Sequence, residues 1–174
     1  MAMIDALLAE LEQESHATRR VLERVPQAHL GWKPHPKSMS LGQLALHVAT
    51  VPGNVAELAS RDTIPEPPVF VQQEAATAAE LVPALTASVA KARQHLGGFD
   101  DAAMSATWRL MSGGREVMAM PRVAFARAIM LNHWYHHRGQ LLVYLRLLDV
   151  PVPSVYGPSA DENPFAAMPV AGAR

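Results

Sequence analysis

Apolar residues recur at helical spacing over four long stretches of the chain. Between 3 and 24, Ile4, Leu7, Leu8, Leu11 and Leu22 share a face while Glu10, Glu12 and Glu14 point elsewhere, the pattern of an amphipathic helix. Pro26 ends it. Residues 25–39, with Pro26, Gly31, Pro34 and Pro36, read as a connector in which Trp32 is placed to plug one end of a core. Ser40 followed three residues on by Gln43 matches a capping box. It opens a second helix whose apolar stripe is Leu44, Val48, Val51, Val55 and Leu58. Pro52-Gly53 interrupts that stripe and predicts a kink or local unwinding.

Residues 61–74 carry Pro65, Pro67 and Pro68 and read as a crossover with little regular structure. A third helix is predicted over 75–97, with Leu81, Leu85, Val89, Ala92 and Leu96 on one face and Gly97-Gly98 as its stop. From Thr107 to Met120 the period changes to partial alternation around Gly113-Gly114, which predicts a short β-hairpin. Pro121 suits the first turn of a fourth helix. That helix runs to about Leu148, with Phe125, Ile129, Leu141, Tyr144, Leu145 and Leu148 on its apolar face. The resulting fold class is all-α: a four-helix bundle over 1–150, with the hairpin before its last helix. The tail, 151–174, packs on the bundle and frays at its end. The crossover is longer than simple up-and-down topology needs, so helices two and three can run parallel.

Composition narrows the function classes. A length of 174 residues suits one domain. The 15 basic and 16 acidic residues leave a net charge of −1, and only Arg19 and Arg20 among the basic ones are adjacent. No basic face forms, so no nucleic-acid partner is expected. No apolar run reaches the ~20 residues of a membrane span, and the acidic start lacks the basic flank of a signal peptide, so a cytoplasmic location is expected. The chain has no cysteine, which removes disulfides, thiolate metal sites and a cysteine nucleophile.

The chemistry concentrates in histidines. Of eight, His133, His136 and His137 fall within five residues. On a helix, His133 and His137 differ in direction by only about 40° and lie one turn apart. They share the stripe of Phe125 and Ile129, so both should face the interior. Unpaired imidazoles there cost stability unless something satisfies them, and a metal ion would. His136 points about 100° away from His137 and suits a supporting or surface role. His47, three residues after Leu44 and four before Val51, lies in the stripe of helix two and can supply a third ligand. Three neutral imidazoles with an open position form a common zinc arrangement, and nickel, iron or manganese also fit. Any one of these histidines alone reads as an ordinary core or surface residue; the three together make a metal site an equally good reading. Trp134 occupies the position where a zincin carries its glutamate, so a metalloprotease is excluded. The core face of the fourth helix has no carboxylate before Asp149.

Two stretches, Leu44-Ala-Leu-His47-Val and Asn132-His-Trp-Tyr-His-His-Arg-Gly-Gln140-Leu, resemble the signatures of the DinB/YfiT-like family of metal-dependent enzymes, the DinB superfamily. The run Pro153-Ser-Val-Tyr-Gly-Pro-Ser-Ala-Asp161-Glu resembles the segment after that family's last helix. The resemblance implies a bundle in up-down-down-up order and a divalent ion, zinc or nickel, on His47, His133 and His137. It implies a small-molecule substrate, often a homodimer, and transfer or isomerisation dependent on a low-molecular-weight thiol such as mycothiol, bacillithiol or glutathione; an ion on three neutral histidines could equally activate a bound water for hydrolysis. A non-catalytic metal- or ligand-binding bundle is the alternative. Around the ion, Gln43, His136, Gln140 and Tyr156 are candidate supporting residues, although capping alone explains Gln43. Tyr156 and Asp161 are placed to cover the metal's mouth. Trp134 and Tyr135 suit packing or a dimer surface, and Arg138 a surface or interface charge.

Overall fold

Helix α1 (Met3–Leu22) buries Ile4, Leu7, Leu11 and Leu22 as its spacing predicts, while Leu8 is only partly buried; it also buries Val21, Thr18 and Glu14, the last of which was expected to point away from the core. A computed structural model describes residues 2–166; the expected fraying of 167–174 lies outside the described residues. Helix α2 (Leu41–Ala59) opens on the predicted box. The Gln43 amide nitrogen donates to Ser40 Oγ at 3.1 Å, and Ser40 N donates to Gln43 Oε1 at 2.9 Å. A two-residue strand β1 (Thr63–Ile64) comes next. Helix α3 (Leu81–Leu96) begins on a short 3-10 turn at Ala78–Glu80. The single turn α4 (Asp101–Ser105) is capped by Asp100, whose Oδ1 accepts from Ala103 N at 2.7 Å.

The hairpin predicted around Gly113-Gly114 is present as β2 (Thr107–Ser112) and β3 (Arg115–Pro121). Ser112 pairs with Arg115 across glycines at φ +54° and +75°, and a two-residue turn with both residues left-handed favours glycine at both positions. β1 adds in parallel on the free edge of β2, giving the order β1-β2-β3. The chain is therefore mostly helical with a small three-stranded sheet, one strand more than the hairpin the alternation suggests. Two residues of a proline-rich crossover are too short a stretch to show periodicity.

The last helical stretch has three parts: α5 (Arg122–Phe125), a π-helical segment (Ala126–Asn132) and α6 (His133–Leu147). Buried positions along it are Arg122, Phe125, Ala126, Met130, Leu131, Trp134, Arg138, Leu141 and Leu145. Phe125, Leu141 and Leu145 are buried as expected. Through the π segment, where each turn takes more residues than an α turn, the core stripe runs through Ala126, Met130 and Leu131 to Trp134. Ile129, His133, His137 and Tyr144 end at its edge, half-buried.

Pro52 does not break α2, and no unwinding is seen. A proline cannot donate to the carbonyl four residues back; that carbonyl, of Val48, instead accepts from Trp134 Nε1 at 2.8 Å. Gly53 N donates to Ser88 Oγ at 2.8 Å, and that hydroxyl donates to the Thr50 carbonyl at 3.1 Å. A Cβ on Gly53 would sit 2.8 Å from the Ser88 carbonyl oxygen. Gly53→Ala should therefore destabilise the protein by about 1–3 kcal/mol through overpacking between helices. Urea unfolding measures this, and an unchanged midpoint would show that α2 and α3 can separate at no cost.

Contacts fix the direction of neighbouring helices. Gly53 meets Ser88 and Glu57 meets Lys91 at 2.6 Å, so α2 and α3 run parallel. Arg93 pairs with Glu12 at 3.0 Å and Arg19 donates to Thr86 at 2.9 Å, so α1 and α3 are antiparallel. Tyr135 donates to Glu10 and Arg138 to Thr18, which makes α1 and α6 parallel. Trp134 reaches Val48 while Tyr144 reaches Met39, which makes α2 and α6 antiparallel. Among the described residues no helix is long and apolar enough to cross a membrane.

Candidate metal centre

His47 sits on α2 between the fully buried Leu44 and Val48. The antiparallel crossing that brings Trp134 to Val48 carries the start of α6 past it. His133 and His137 stand at the edge of the core stripe, with their rings beside that of His47 on α2. All three are half-buried, and one ring nitrogen from each lies within 4.8 Å of the others. His133 Nε2 and His137 Nε2 face each other at 2.8 Å. Ring centroids of His47 lie 5.2 Å from His133 and 4.5 Å from His137.

Burial chiefly, and the neighbouring His137 and His133 rings secondarily, push His47 down to about 4. Burial also lowers His133 and His137, against a backbone interaction with Ile129 and a Gln140 contact that raise them. At neutral pH the three rings are thus uncharged, the state in which imidazole binds metal. The donor set fits a divalent ion. Three ligands on one tetrahedral centre with bonds of about 2.1 Å stand roughly 3.4 Å apart, within side-chain adjustment of this arrangement. His133 Nδ1 is buried without a well-formed hydrogen bond; the Ile129 carbonyl is close enough to favour a proton on it, which would leave the Nε2 lone pair free.

Two of the three, His47 and His133, line a cavity of about 590 Å³ together with residues of α2, the crossover and Ile129. The candidate supporting residues divide. Gln140 Oε1 lies 2.8 Å from His137 Nδ1. His136 is exposed, its ring 5.0 Å from that of His137. Gln43 is occupied by the cap and by a 3.3 Å bond from Nε2 to the Gln72 carbonyl, so it braces the crossover and does not contact the histidines. Tyr156 does not cover the metal's mouth. Its hydroxyl donates to Glu14 at 2.8 Å and accepts from Arg138, on the α1 side of the last helix. Asp161 pairs with Arg146 and accepts from Val152 N at 2.9 Å, which folds the tail on itself.

Arg138 is not a surface charge. Its side chain is 2% exposed and pairs with Glu14 at 2.6 Å. It also donates to Thr18 Oγ1 at 3.1 Å and the Glu14 carbonyl at 3.2 Å. The last helix is covered by α1 as well as α2, so a second face is buried, and a polar residue can occupy it only with partners. Glu14 and Thr18, a carboxylate and a hydroxyl four residues apart on α1, were the available signal. Trp134 is fully buried and Tyr135 packs against α1 through Glu10, both in packing roles.

Fold and cluster together define a mostly helical protein whose second and last helices bring together three histidines that could hold a metal ion. The chain belongs to the DinB superfamily, whose sequence model matches residues 10–141, a span that includes all three histidines. Two solved structures share the fold. One is a DinB-like protein from Bacillus cereus ATCC 10987, 24% identical, with a TM-score of 0.63, covering 90% of this chain and 100% of that one. The other is a DinB-like protein, YjoA, from Bacillus subtilis, 19% identical, with a TM-score of 0.64, covering 86% and 96%. No curated protein matches the chain in sequence.

Proposed function

We propose that His47, His133 and His137 hold one divalent ion, zinc or nickel, and that the chain is a metal-dependent enzyme acting on a small molecule. The observation that carries this reading is the meeting of three neutral imidazoles, nitrogens within 4.8 Å, two of them in the wall of a ligand-sized cavity. When bound, the ion would supply Lewis acidity toward a water or a cofactor thiol. The histidines add no ligand charge, which leaves that acidity strong. Gln140 orients the His137 ring. No carboxylate lines the cavity among the described residues, which favours thiol transfer or isomerisation over hydrolysis with a general base. The chain has no cysteine, so the thiol must come from a cofactor.

The same reading sets the trio in an up-down-down-up four-helix bundle over 1–150, supported by the helix directions above. It includes a homodimer, which rests on the family resemblance, and a cytoplasmic location, which rests on the acidic start of the chain and its lack of a membrane-length apolar run; light scattering after size exclusion tests the dimer.

Metal analysis of protein purified under metal-replete conditions should find about one ion per chain. A content below about a tenth of an ion would leave a helical protein whose histidines only pack. If the ion binds, a panel of thiol cofactors with electrophilic substrates separates an enzyme from a non-catalytic binder. Gln140→Leu should weaken metal binding by about tenfold to a hundredfold, since the partner that orients a ligand is lost. Chelator competition reads the affinity; unchanged affinity would make the Gln140 contact incidental.

A further inference from the structure

We propose that the cavity beside the three histidines takes a molecule with an uncharged, largely apolar body and a metal-ligating head group. This rests on the metal reading above and names the substrate class for it. The cavity's wall carries the observation. Val55, Leu58 and Ile129 line it from the helices, and Phe70 lines it from the crossover. The polar groups are the neutral side chains of Thr50, Asn54, Gln72 and Gln73. No aspartate, glutamate, lysine or arginine lines it among the described residues, in a chain with 15 basic and 16 acidic residues.

A site for a carboxylate or phosphate normally supplies an arginine, a lysine or a row of backbone donors. Away from the histidines, this one supplies none of the charged groups. A carboxylate on the ligand's body would lose its water and gain no ionic partner, which costs affinity. Apolar atoms, in contrast, meet apolar walls. Val69, Phe70 and Val71 are 91%, 70% and 77% exposed, and all three line the cavity. A consecutive run of large apolar residues left in water at the edge of a cavity is surface that a bound apolar body would cover. The crossover that presents it is braced by the bond from Gln43 to the Gln72 carbonyl, so its position is tied to the start of α2. Amides of Asn54, Gln72 and Gln73 can answer one hydrogen-bonding group on such a ligand.

The test uses the full chain loaded with zinc, its occupancy measured first. Calorimetry then compares hydroxamates, whose head group ligates zinc. Octanohydroxamate should bind at least about tenfold more tightly than suberic monohydroxamate, a molecule of the same length that ends in a carboxylate. Across butano-, hexano- and octanohydroxamate, affinity should rise by up to about fourfold for each methylene buried. Phe70→Ser, a change at an exposed crossover position, should weaken octanohydroxamate severalfold while leaving acetohydroxamate and zinc occupancy unchanged. Asn54→Lys should raise the affinity for suberic monohydroxamate relative to octanohydroxamate. Equal or tighter binding of the carboxylate in the unaltered protein, or affinities that ignore chain length, would overturn the proposal while the metal site stands. Failure to take up zinc at all would overturn both.

Discussion

His47→Ala should empty the metal site: content falls from about one ion per chain to below about a tenth, with the helical circular dichroism unchanged. Two imidazoles one turn apart remain on α6, but the ligand that closes the set comes from the other helix. Alanine is the best helix former, and α2 keeps its cap and the buried Leu44, Ala45, Val48 and Ala49 around the position. The side chain removed is only half-buried, so the core loses little packing. Atomic-emission analysis of dialysed protein reads the result. His136→Ala is the control: that ring is exposed and points away from His47, and metal content should not change. Full occupancy in His47→Ala would remove residue 47 from the site. Loss of metal in His136→Ala but not in His47→Ala would move the site to the outer face of α6.

The largest stability loss should come from Arg138→Met. It leaves the Glu14 carboxylate, 9% exposed, with the Tyr156 hydroxyl as its remaining side-chain partner. Breaking one side of a buried ion pair typically costs about 3–5 kcal/mol, because the surviving charge stays desolvated. Urea unfolding of the metal-free protein measures it. The double variant Glu14→Gln with Arg138→Met should recover much of the loss, since the uncompensated charge is gone and the amide can still accept from Tyr156. A loss below about 1 kcal/mol in the single variant would mean that water reaches the pair and the network is screened. The network also ties down the tail, so Arg138→Met should make the segment around Tyr156 more susceptible to protease.

Much of the architecture was written in local patterns. The stripes of α1 and α3, the box at Ser40 and Gln43, the glycine turn of the hairpin and the end of the last helix come from periodicity and turn chemistry, which depend on neighbours in the chain. The histidine spacing on α6 belongs with them. Periodicity misled on the face of the last helix. It assumed one uniform α-helix, whereas 126–132 is π-helical; Phe125, Leu141 and Leu145 are buried as expected, but Ile129 and Tyr144 stand at the edge. Arg138 was misplaced because a helical wheel shows one apolar face, not the second face that α1 covers. Tyr156 and Asp161 lie in a tail without periodicity, whose path is set by polar contacts with Arg20, Arg138 and Arg146.

By itself the sequence determined that four long helical stretches form and where the second one opens, which residues could ligate a metal, and that no thiolate of the chain could join them. These depend on side-chain type and on spacing within one element. Only tertiary structure decided that residue 47 meets 133 and 137, that Trp134 satisfies the carbonyl Pro52 leaves free, and that the wall beside the histidines carries no charge. Each of these joins residues far apart in the chain, and their distance is set by how helices cross and pack, which no local period encodes.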